Sequence, residues 1–247
     1  MGRLTSAARL RYRVLANRGD AVQCPVCEHR FARFRDDWNR PNAICWRCGS
    51  HERHRALWMY LDRLRPELLV NANALLHFAP EWCLESRLRQ RAGLRYTTAD
   101  LDPTVGELQL DITDMALPDG SFDAILCSHV LEHVEDDGAA MRELRRVLTP
   151  GGWAIVMVPL DVNRAHTYED PSITEPADRE REFLQFDHLR LYAPDIADRL
   201  ESAGLEVKTE RVAHDVGPQA AARQRLLDSD YLFLCRTPVP SEVVGSS

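Results

Sequence analysis

The sequence predicts an α/β fold, with a doubly wound, mostly parallel sheet of seven strands and a small module before it. The first observation is that, from about residue 72 onward, short apolar runs alternate with segments whose apolar residues recur at helical spacing. The second is that the earlier part of the chain instead holds four closely paired cysteines. Strands that alternate with helices form parallel sheets with right-handed crossovers.

The first of the two regions is predicted at residues 1–66. A helix is expected over residues 5–17, followed by the segment that contains the cysteines. A second helix starts after Ser50, which can cap it, and ends before Pro66, because proline cannot continue a helix. This second helix is expected to connect the module to the main domain.

The main domain is predicted at residues 67–236, where strands and helices alternate. One helix is expected over residues 136–148, with its apolar residues on one face. Residues 237–247 are polar and are predicted to form a flexible tail. The seven predicted strands cover residues 74–78, 94–99, 108–112, 122–127, 153–158, 205–212 and 231–235.

The composition places limits on the class of protein. Of the 247 residues, 45% are hydrophobic and 28% are charged, which is ordinary for a globular protein. No apolar run approaches the roughly 20 residues that a membrane helix needs, and the first residues lack the apolar core of a signal peptide. We therefore expect a cytoplasmic protein without a membrane partner. The seven cysteines, an odd number, argue against a disulfide framework.

The four paired cysteines have the spacing of a metal site. Cys24 and Cys27 form one CxxC pair, and Cys45 and Cys48 form a second pair seventeen residues later. Each such turn presents two thiolates to one metal, and four thiolates complete a tetrahedral Zn²⁺ site. A redox-active CxxC would explain one pair but not two at this spacing. The sequence thus predicts a zinc ribbon whose metal is structural, because no coordination position is left for a substrate.

Charge is distributed unevenly along the chain. Residues 1–65 carry fourteen arginines and six acidic residues, whereas the rest of the chain has a net charge of about −15. One interpretation is that the basic module docks on the acidic domain. The other is that the stretch Arg47–Arg55 offers a positive wall to an anionic acceptor. Nucleic acid is disfavoured as a partner, since polyanion binding usually requires an extended basic face.

Three stretches of the main domain form a specific series. They are LDITDMALPDGSFD at residues 110–123, AILCSHVLEHV at 124–134 and RELRRVLTPGG at 142–152. Together they resemble the class I S-adenosylmethionine (SAM)-dependent methyltransferases, which have a Rossmann-like fold. The resemblance covers about a third of the chain well, and it implies SAM as the cofactor and methyl transfer as the reaction.

The resemblance and the geometry of parallel sheets together indicate where SAM binds. Ligands of open parallel sheets lie beyond the carboxyl ends of the strands. Asp100 is expected to accept both ribose hydroxyls, and Asp111 is expected to accept from the adenine amino group, with Ile112 beside the ring. Ser128 and His129 end the fourth strand near the transferred methyl group. The predicted SAM-binding residues are His77, Phe78, Ala79, Glu81, Asp100, Leu101, Asp111, Ile112, Thr113, Ser128 and His129.

The turn after the first strand departs from the family's pattern. The family has a glycine-rich turn there, because glycine lets the backbone approach the ligand, whereas this chain has HFAPE at residues 77–81. We expect Ala79 to be small enough for that approach and Glu81 to bind the methionyl ammonium. The alternative is a domain that has lost the donor or uses it for something other than methyl transfer.

The acceptor site is predicted in an insertion after the fifth strand. Residues 161–192 are expected to form a lid, because a loop of this length in a compact domain usually has a function. Histidines can take the proton from a hydroxyl or amine, so His188 and His129 are the candidate catalytic residues. The alternative for His188 is a lid residue without a role in catalysis. His129 and His133 are four residues apart, yet we expect no metal there and place His133 against the sheet.

The acceptor is expected to be a small molecule, such as a sugar or a biosynthetic intermediate, methylated at oxygen or nitrogen. The alternative is RNA, with the zinc ribbon holding its backbone. The sequence carries no signal for the oligomeric state.

Overall fold

The computed structural model describes residues 5–38 and 40–239. Most of the predicted flexible tail, from residue 240 onward, lies outside the described residues. The chain divides into two compact units. The first unit comprises Met1–Asn71, Glu81–Ala92 and Arg211–Asp230, and the second comprises Ala72–Pro80, Gly93–Glu210 and Tyr231–Ser247.

The helices and strands follow one another along both units. The strands are β1 (Arg18–Gln23), β2 (Arg30–Phe31), β3 (Arg35–Asp37), β4 (Arg40–Ile44), β5 (Ala74–Phe78), β6 (Arg95–Asp100), β7 (Leu108–Gln109), β8 (Phe122–Ser128), β9 (Leu148–Met157), β10 (Tyr168–Glu169), β11 (Arg190–Leu191), β12 (Glu206–Glu210) and β13 (Leu232–Arg236). The helices are α1 (Ser6–Ala16), α2 (Glu52–Met59), α3 (Pro66–Val70), α4 (Trp82–Leu88), α5 (Asp137–Val147), α6 (Pro176–Phe183), α7 (Ile196–Ser202), α8 (Val212–Asp215) and α9 (Pro218–Gln224), with a π-helical segment at Tyr60–Leu64 and a 3₁₀ turn at Leu131–His133. None of the helices within the described ranges is long and apolar enough to span a membrane.

Two short antiparallel hairpins in the first unit carry the paired cysteines. β1 pairs with β2, and β3 pairs with β4. Cys24 follows β1 directly and Cys45 follows β4, so each CxxC pair occupies the turn at a strand end. Phe31 and Phe34 are fully buried, and their rings meet edge to face with centroids 6.0 Å apart. The hairpins therefore have a small aromatic core beside the cysteines.

The guanidinium of Arg55, on α2, is fully buried at the centre of the first unit. It donates to the carbonyls of Ala43 and Ser50, both at 2.8 Å, and to the carbonyl of Gln224 at 2.6 Å. Its carbon also lies 4.5 Å from the centroid of the Phe34 ring. A buried charge is stable only when its hydrogen bonds are satisfied, so Arg55 fixes three separate chain segments around itself.

These contacts explain why the first unit extends beyond the predicted boundary at residue 66. The carbonyl of Gln224, near the end of the chain, is a partner of Arg55, and the side chain of Arg87 donates to the carbonyl of Val26. Both partners lie in segments that the sequence assigned to the main domain. Local hydrophobic pattern does not show which unit such a segment joins.

The second unit is built on a seven-stranded sheet in the order β12-β13-β9-β8-β5-β6-β7. Each neighbouring pair from β9 to β7 is parallel, whereas β13 is antiparallel to both β9 and β12. The predicted α/β fold with a mostly parallel seven-stranded sheet is therefore confirmed. Strand order runs outward from β5 in both directions, and such a switch point is where open sheets bind ligands.

Helix α5 supplies much of the hydrophobic core of this unit. Asp136 caps it, since the Asp136 side chain accepts from the backbone amide of Ala139 at 2.7 Å. Met141, Leu144 and Val147 recur at helical spacing and are fully buried in one cluster with side chains of β5, β8 and β9. Burial of each such side chain contributes about 1.5–3 kcal/mol. This packing holds the carboxyl ends of the central strands in fixed positions.

The insertion at residues 161–192 has regular structure that the sequence did not predict. β10 and β11 form a small antiparallel pair, and α6 lies between them in the chain. The insertion begins and ends side by side, because Leu160 bridges to Tyr192 and the amide of Asp161 donates to the Tyr192 carbonyl at 2.8 Å. It therefore leaves and rejoins the second unit at adjacent points.

Candidate functional site

The four paired cysteines converge in the first unit. The sulfur atoms of Cys24 and Cys48 are 3.6 Å apart, as are those of Cys27 and Cys45, and all four lie within 4.8 Å of one another. Tetrahedral Zn²⁺ with bonds of about 2.3 Å needs sulfur–sulfur distances of about 3.8 Å. The donor set therefore fits Zn²⁺ in both chemistry and spacing, and zinc binding remains a prediction that this geometry supports.

Backbone and hydroxyl groups surround the four sulfur atoms. The Ser50 hydroxyl oxygen lies 3.2 Å from the Cys24 sulfur, and the amide of Arg47 donates to the Cys45 sulfur at 3.4 Å. Gly49, directly after the second pair, has a φ of 73°, a conformation that glycine adopts without strain. Groups that hydrogen-bond to thiolates orient them and favour their ionised form, as partners of metal ligands commonly do.

A cavity of about 750 Å³ opens beyond the carboxyl ends of β5, β6 and β8 in the second unit. Its size is typical of sites that hold a cofactor or a small molecule. Eight of the predicted SAM-binding residues line it, namely Phe78, Ala79, Asp100, Leu101, Asp111, Ile112, Thr113 and His129. The other lining residues are Leu110, Val130, His133, Val134, Glu135, Asp136 and Asp187.

Two residues at the mouth of this cavity have left-handed backbones although neither is glycine. Ala79 has a φ of 47° and His129 a φ of 56°. They directly follow β5 and β8, and each amide still donates to a neighbouring strand, Ala79 to Ala99 at 2.9 Å and His129 to Met157 at 2.8 Å. Such backbones are costly for residues with a Cβ and concentrate at functional sites. The turn after β5 thus has a glycine-like backbone with alanine in it.

Two aspartates in the cavity are held as hydrogen-bond acceptors. Asp100 accepts from the amide of Asp102 at 2.8 Å. Asp111 accepts from the amide and the hydroxyl of Thr113 at 2.8 and 2.7 Å, and these bonds lower the pKa of Asp111. A fixed carboxylate that stays ionised can accept from the hydroxyl or amino group of a ligand. The same Thr113 bonds also agree with the alternative that Asp111 merely stabilises its own loop.

Three predicted SAM-binding residues do not line the cavity. His77 is fully buried, with its Nδ1 atom 2.8 Å from the hydroxyl of Tyr96. Ser128 is buried and does not line the cavity. Glu81 belongs to the first unit, where its carboxylate lies 3.3 Å from the Nε2 atom of His54. The predicted bond between Glu81 and the methionyl ammonium therefore has no support, because His54 already supplies that carboxylate with a partner.

The side chains of His129 and His133 both line the cavity. The Nδ1 atom of His129 lies 3.1 Å from a carboxylate oxygen of Glu132, and the Nδ1 atom of His133 lies 3.4 Å from one of Asp187. The expectation that His133 packs against the sheet is wrong, since its side chain faces the cavity from the 3₁₀ turn. Both rings can therefore act on whatever the cavity holds.

His188 is buried beneath this wall of the cavity. Its Nδ1 atom lies 2.8 Å from the carbonyl oxygen of Phe183, so Nδ1–H donates and Nε2 carries the lone pair. Burial lowers the pKa of His188, and the ring is neutral at pH 7. Its ring centroid is 4.8 Å from that of His133. The cavity lining includes His133 and Asp187 but not His188, so His188 is one side chain further from a ligand than the sequence predicted.

Hydrogen bonds from the buried Arg190 tie the insertion to the 3₁₀ turn, and an ion pair joins α7 to the start of α5. Arg190 donates to the carbonyls of Leu131 and Glu135 at 2.9 and 2.8 Å. Arg199 makes two bonds of 2.6 and 2.7 Å to the carboxylate of Asp137, at the start of α5. These contacts fix the segment around His188 against the cavity wall. The role of residues 161–192 as a lid remains a prediction.

The comparisons with known proteins agree with this geometry. The family described as "Methyltransferase domain" matches residues 82–156. A solved SAM-dependent methyltransferase from Archaeoglobus fulgidus superposes with a TM-score of 0.51 over 76% of this chain and 95% of its own, at 14% identity, which shows the shared fold alone. Residues 82–156 are thus similar to a methyltransferase domain, and the sheet order and the cavity at its carboxyl edge agree with that similarity.

Two curated relatives share shorter segments with this chain. A "Probable S-adenosylmethionine-dependent methyltransferase" of Mycolicibacterium smegmatis is 33% identical over 108 residues, which is 43% of this chain and 38% of the relative. Ajmaline N-methyltransferase of Rauvolfia serpentina is 35% identical over 65 residues, which is 26% of this chain and 20% of the relative. The chain thus spans well under half the length of these relatives.

Proposed function

We propose that the protein transfers a methyl group from SAM to an oxygen or nitrogen atom of a small-molecule acceptor, such as a sugar or a biosynthetic intermediate. The observation that carries this proposal is the cavity at the carboxyl edge of β5, β6 and β8. Its wall combines eight residues that sequence reasoning assigned to SAM with histidines able to act on an acceptor.

In this proposal, SAM lies across the switch point of the sheet. Asp100 accepts from the ribose hydroxyls, Asp111 accepts from the adenine amino group, and Ile112 packs against the adenine ring. The left-handed turn at Ala79 lets the backbone approach the methionyl end. Carboxylates on several sides of the cavity complement the positive charge of a sulfonium.

The acceptor side of the cavity is the wall formed by the 3₁₀ turn and Asp187. The relative that N-methylates ajmaline supports a small acceptor, although it shares only a short segment with this chain. An anionic acceptor gains no support from this wall, because Glu135, Asp136 and Asp187 would repel a phosphate or carboxylate. A neutral or cationic acceptor fits better.

Methyl transfer from a sulfonium requires alignment and the removal of one proton. An acceptor lone pair attacks the methyl carbon in line with the breaking C–S bond, and S-adenosylhomocysteine leaves as a neutral thioether. Of the two catalytic candidates, His129 lines the cavity at the end of β8, and Glu132 can orient its ring. We assign His129 the proton transfer and place His188 behind His133.

The test of the donor site is calorimetric titration of SAM and S-adenosylhomocysteine into wild type and Asp100→Ala. Loss of a carboxylate that accepts from the ribose should weaken both ligands roughly tenfold to a hundredfold, equivalent to about 1.5–3 kcal/mol. Asp114→Ala is the matched control, because this aspartate is exposed and does not line the cavity. Wild-type protein that binds neither ligand would overturn the proposal.

A further inference from the structure

Glu132, His133 and His188 form a cluster with the composition of a metal site. One potential ligand atom from each lies within 4.8 Å of the other two. Glu132 and His188 are buried, whereas His133 is exposed at the cavity. Two imidazoles and one carboxylate are a ligand set that first-row divalent metals use in many proteins.

Both imidazoles are oriented as metal ligands are. Nδ1–H of His188 donates to the Phe183 carbonyl at 2.8 Å, and Nδ1 of His133 faces the Asp187 carboxylate at 3.4 Å. A histidine that binds metal through one nitrogen usually donates from the other to a carbonyl or a carboxylate. In both residues this arrangement leaves Nε2 for a shared ligand.

The carboxylate of Glu132 is buried with few polar neighbours. The residue is 1% exposed. Nδ1 of His129 lies 3.1 Å from one oxygen, close enough to pair with it, whereas the second oxygen has no hydrogen-bond partner among the described residues. A buried carboxylate oxygen without a partner is costly, and a metal ion bound to the second oxygen would remove that cost.

His188 is far from the adjacent residues Glu132 and His133 in the sequence, but it is joined to them in space. The amide of Leu189 donates to the Glu132 carbonyl at 2.8 Å, and Arg190 is bonded to carbonyls on both sides of the 3₁₀ turn. Cis ligand atoms about 2.1 Å from a metal are roughly 3.0–3.4 Å apart. Side-chain rotations on this fixed backbone would bring the three ligand atoms from their present spacing, within 4.8 Å, to this distance.

We propose that Glu132, His133 and His188 bind one first-row divalent metal ion at the acceptor wall of the cavity. Three protein ligands leave coordination positions open toward the cavity, where an oxygen atom of the acceptor can replace water. This role in selecting a hydroxyl acceptor rests on the proposed methyl transfer, whereas the metal site itself does not. His188 is then a metal ligand and not the base.

The chemistry at such a site is balanced without a redox step. The metal lowers the pKa of the bound hydroxyl, and its proton passes to His129 or to water. The oxygen lone pair forms the new C–O bond while the C–S bond breaks, which yields a methyl ether and S-adenosylhomocysteine. The metal keeps its oxidation state throughout.

Mn²⁺ is the probe that separates this site from the cysteine site, because it prefers oxygen and nitrogen ligands to thiolates. Titration followed by electron paramagnetic resonance should show one Mn²⁺ bound per chain in wild-type protein. Glu132→Gln and His188→Gln should each weaken that binding by at least tenfold, as loss of one ligand does. His166→Gln, which changes an 87% exposed histidine of the insertion, is the matched control and should bind as wild type does.

Thermal melting and SAM titration of the same preparations separate the possible failures. No bound Mn²⁺ in folded wild-type protein, or equal binding in both ligand variants, would overturn the metal site. Mn²⁺ binding without SAM binding would overturn the donor proposal and leave the metal site standing. Labelled SAM and a metabolite extract then test the role of the metal ion in methyl transfer. Methyl transfer that is equally fast with and without Mn²⁺ would exclude that role.

Discussion

Ala79 occupies a position where the resembling family has glycine, and its backbone keeps the left-handed conformation that glycine permits. The Cβ in this conformation costs about 1–2 kcal/mol. A strained residue persists when its surroundings determine its backbone, and here the bond from its amide to Ala99 does so. The sequence showed that alanine stands in the turn, but only the backbone shows that the turn kept its shape.

We expect Ala79→Gly to raise the free energy of unfolding by about 0.5–1 kcal/mol, because relief of strain exceeds the added flexibility of the unfolded chain. SAM affinity should stay within twofold of wild type. Ala99→Gly is the control, since Ala99 is fully buried in the extended strand β6 and its loss should destabilise the protein. Urea denaturation measures the stability of both variants. A destabilised Ala79→Gly protein would show that the side-chain methyl group of Ala79 is needed for packing.

Asp230, in the first unit, titrates in an unusual range. Burial, with a smaller contribution from the charge of Glu52, raises the pKa of Asp230 to about 6. The native protein therefore retains a proton that the unfolded chain has lost between about pH 4 and pH 6, so stability falls as the pH rises through this window. Above about pH 6 the loss of stability caused by Asp230 is complete.

Asp230→Asn should remove this fall, because an amide cannot ionise, and should stabilise the first unit at pH 7. Thermal unfolding from pH 4 to pH 7.5 measures the pH dependence of stability in the wild type and the variant. Asp228→Asn, at an exposed aspartate two residues earlier, should keep the wild-type pH profile. Parallel profiles of wild type and Asp230→Asn would show that Asp230 ionises normally.

Among the structural elements, the two cysteine turns are expected to depend on each other through the predicted zinc ion. Each hairpin is too short to be stable alone, and the four sulfur atoms are spaced for one ion. In such modules the binding free energy of zinc is also folding free energy. The module and its metal should therefore be lost together.

Cys45→Ser should release about one zinc ion per chain and unfold the hairpins. Metal analysis of protein purified without chelator, together with limited proteolysis, checks this expectation. Cys83→Ala should retain the zinc, because Cys83 lies on α4 outside the four-cysteine cluster. Wild-type protein with less than half an equivalent of zinc would contradict the assignment.

The sequence predicted elements more accurately than it predicted contacts between them. The central strands β5, β8, β9 and β13 were identified because their residues are mostly apolar, and the strand end and the family resemblance indicated Asp100 and Asp111, which line the cavity. The contact between Glu81 and His54 was not predicted, because His54 precedes Glu81 by twenty-seven residues in another segment. Likewise His188 and Glu132 are fifty-six residues apart, and no local pattern brings such residues together.

For the whole molecule, the unit boundaries also depend on contacts between distant segments, which local sequence pattern does not predict. Residues 211–230 have an ordinary helical pattern, yet their carbonyls complete the hydrogen bonding of Arg55. The uneven charge of the sequence remains open to both interpretations, docking within the chain or contact with an anionic acceptor. The acidic wall of the cavity in the second unit supplies no support for the second interpretation.

The adjacent ends of the insertion have a practical meaning for protein engineering. Because Asp161 and Tyr192 are hydrogen-bonded neighbours, the intervening residues form a closed excursion whose exchange need not disturb the order of the sheet. The seven-stranded sheet and its helices could then accept insertions of other lengths, provided that each insertion ends in a residue equivalent to Arg190. Under the proposed function, such an exchange would alter the acceptor side of the cavity and leave the residues proposed to bind SAM unchanged.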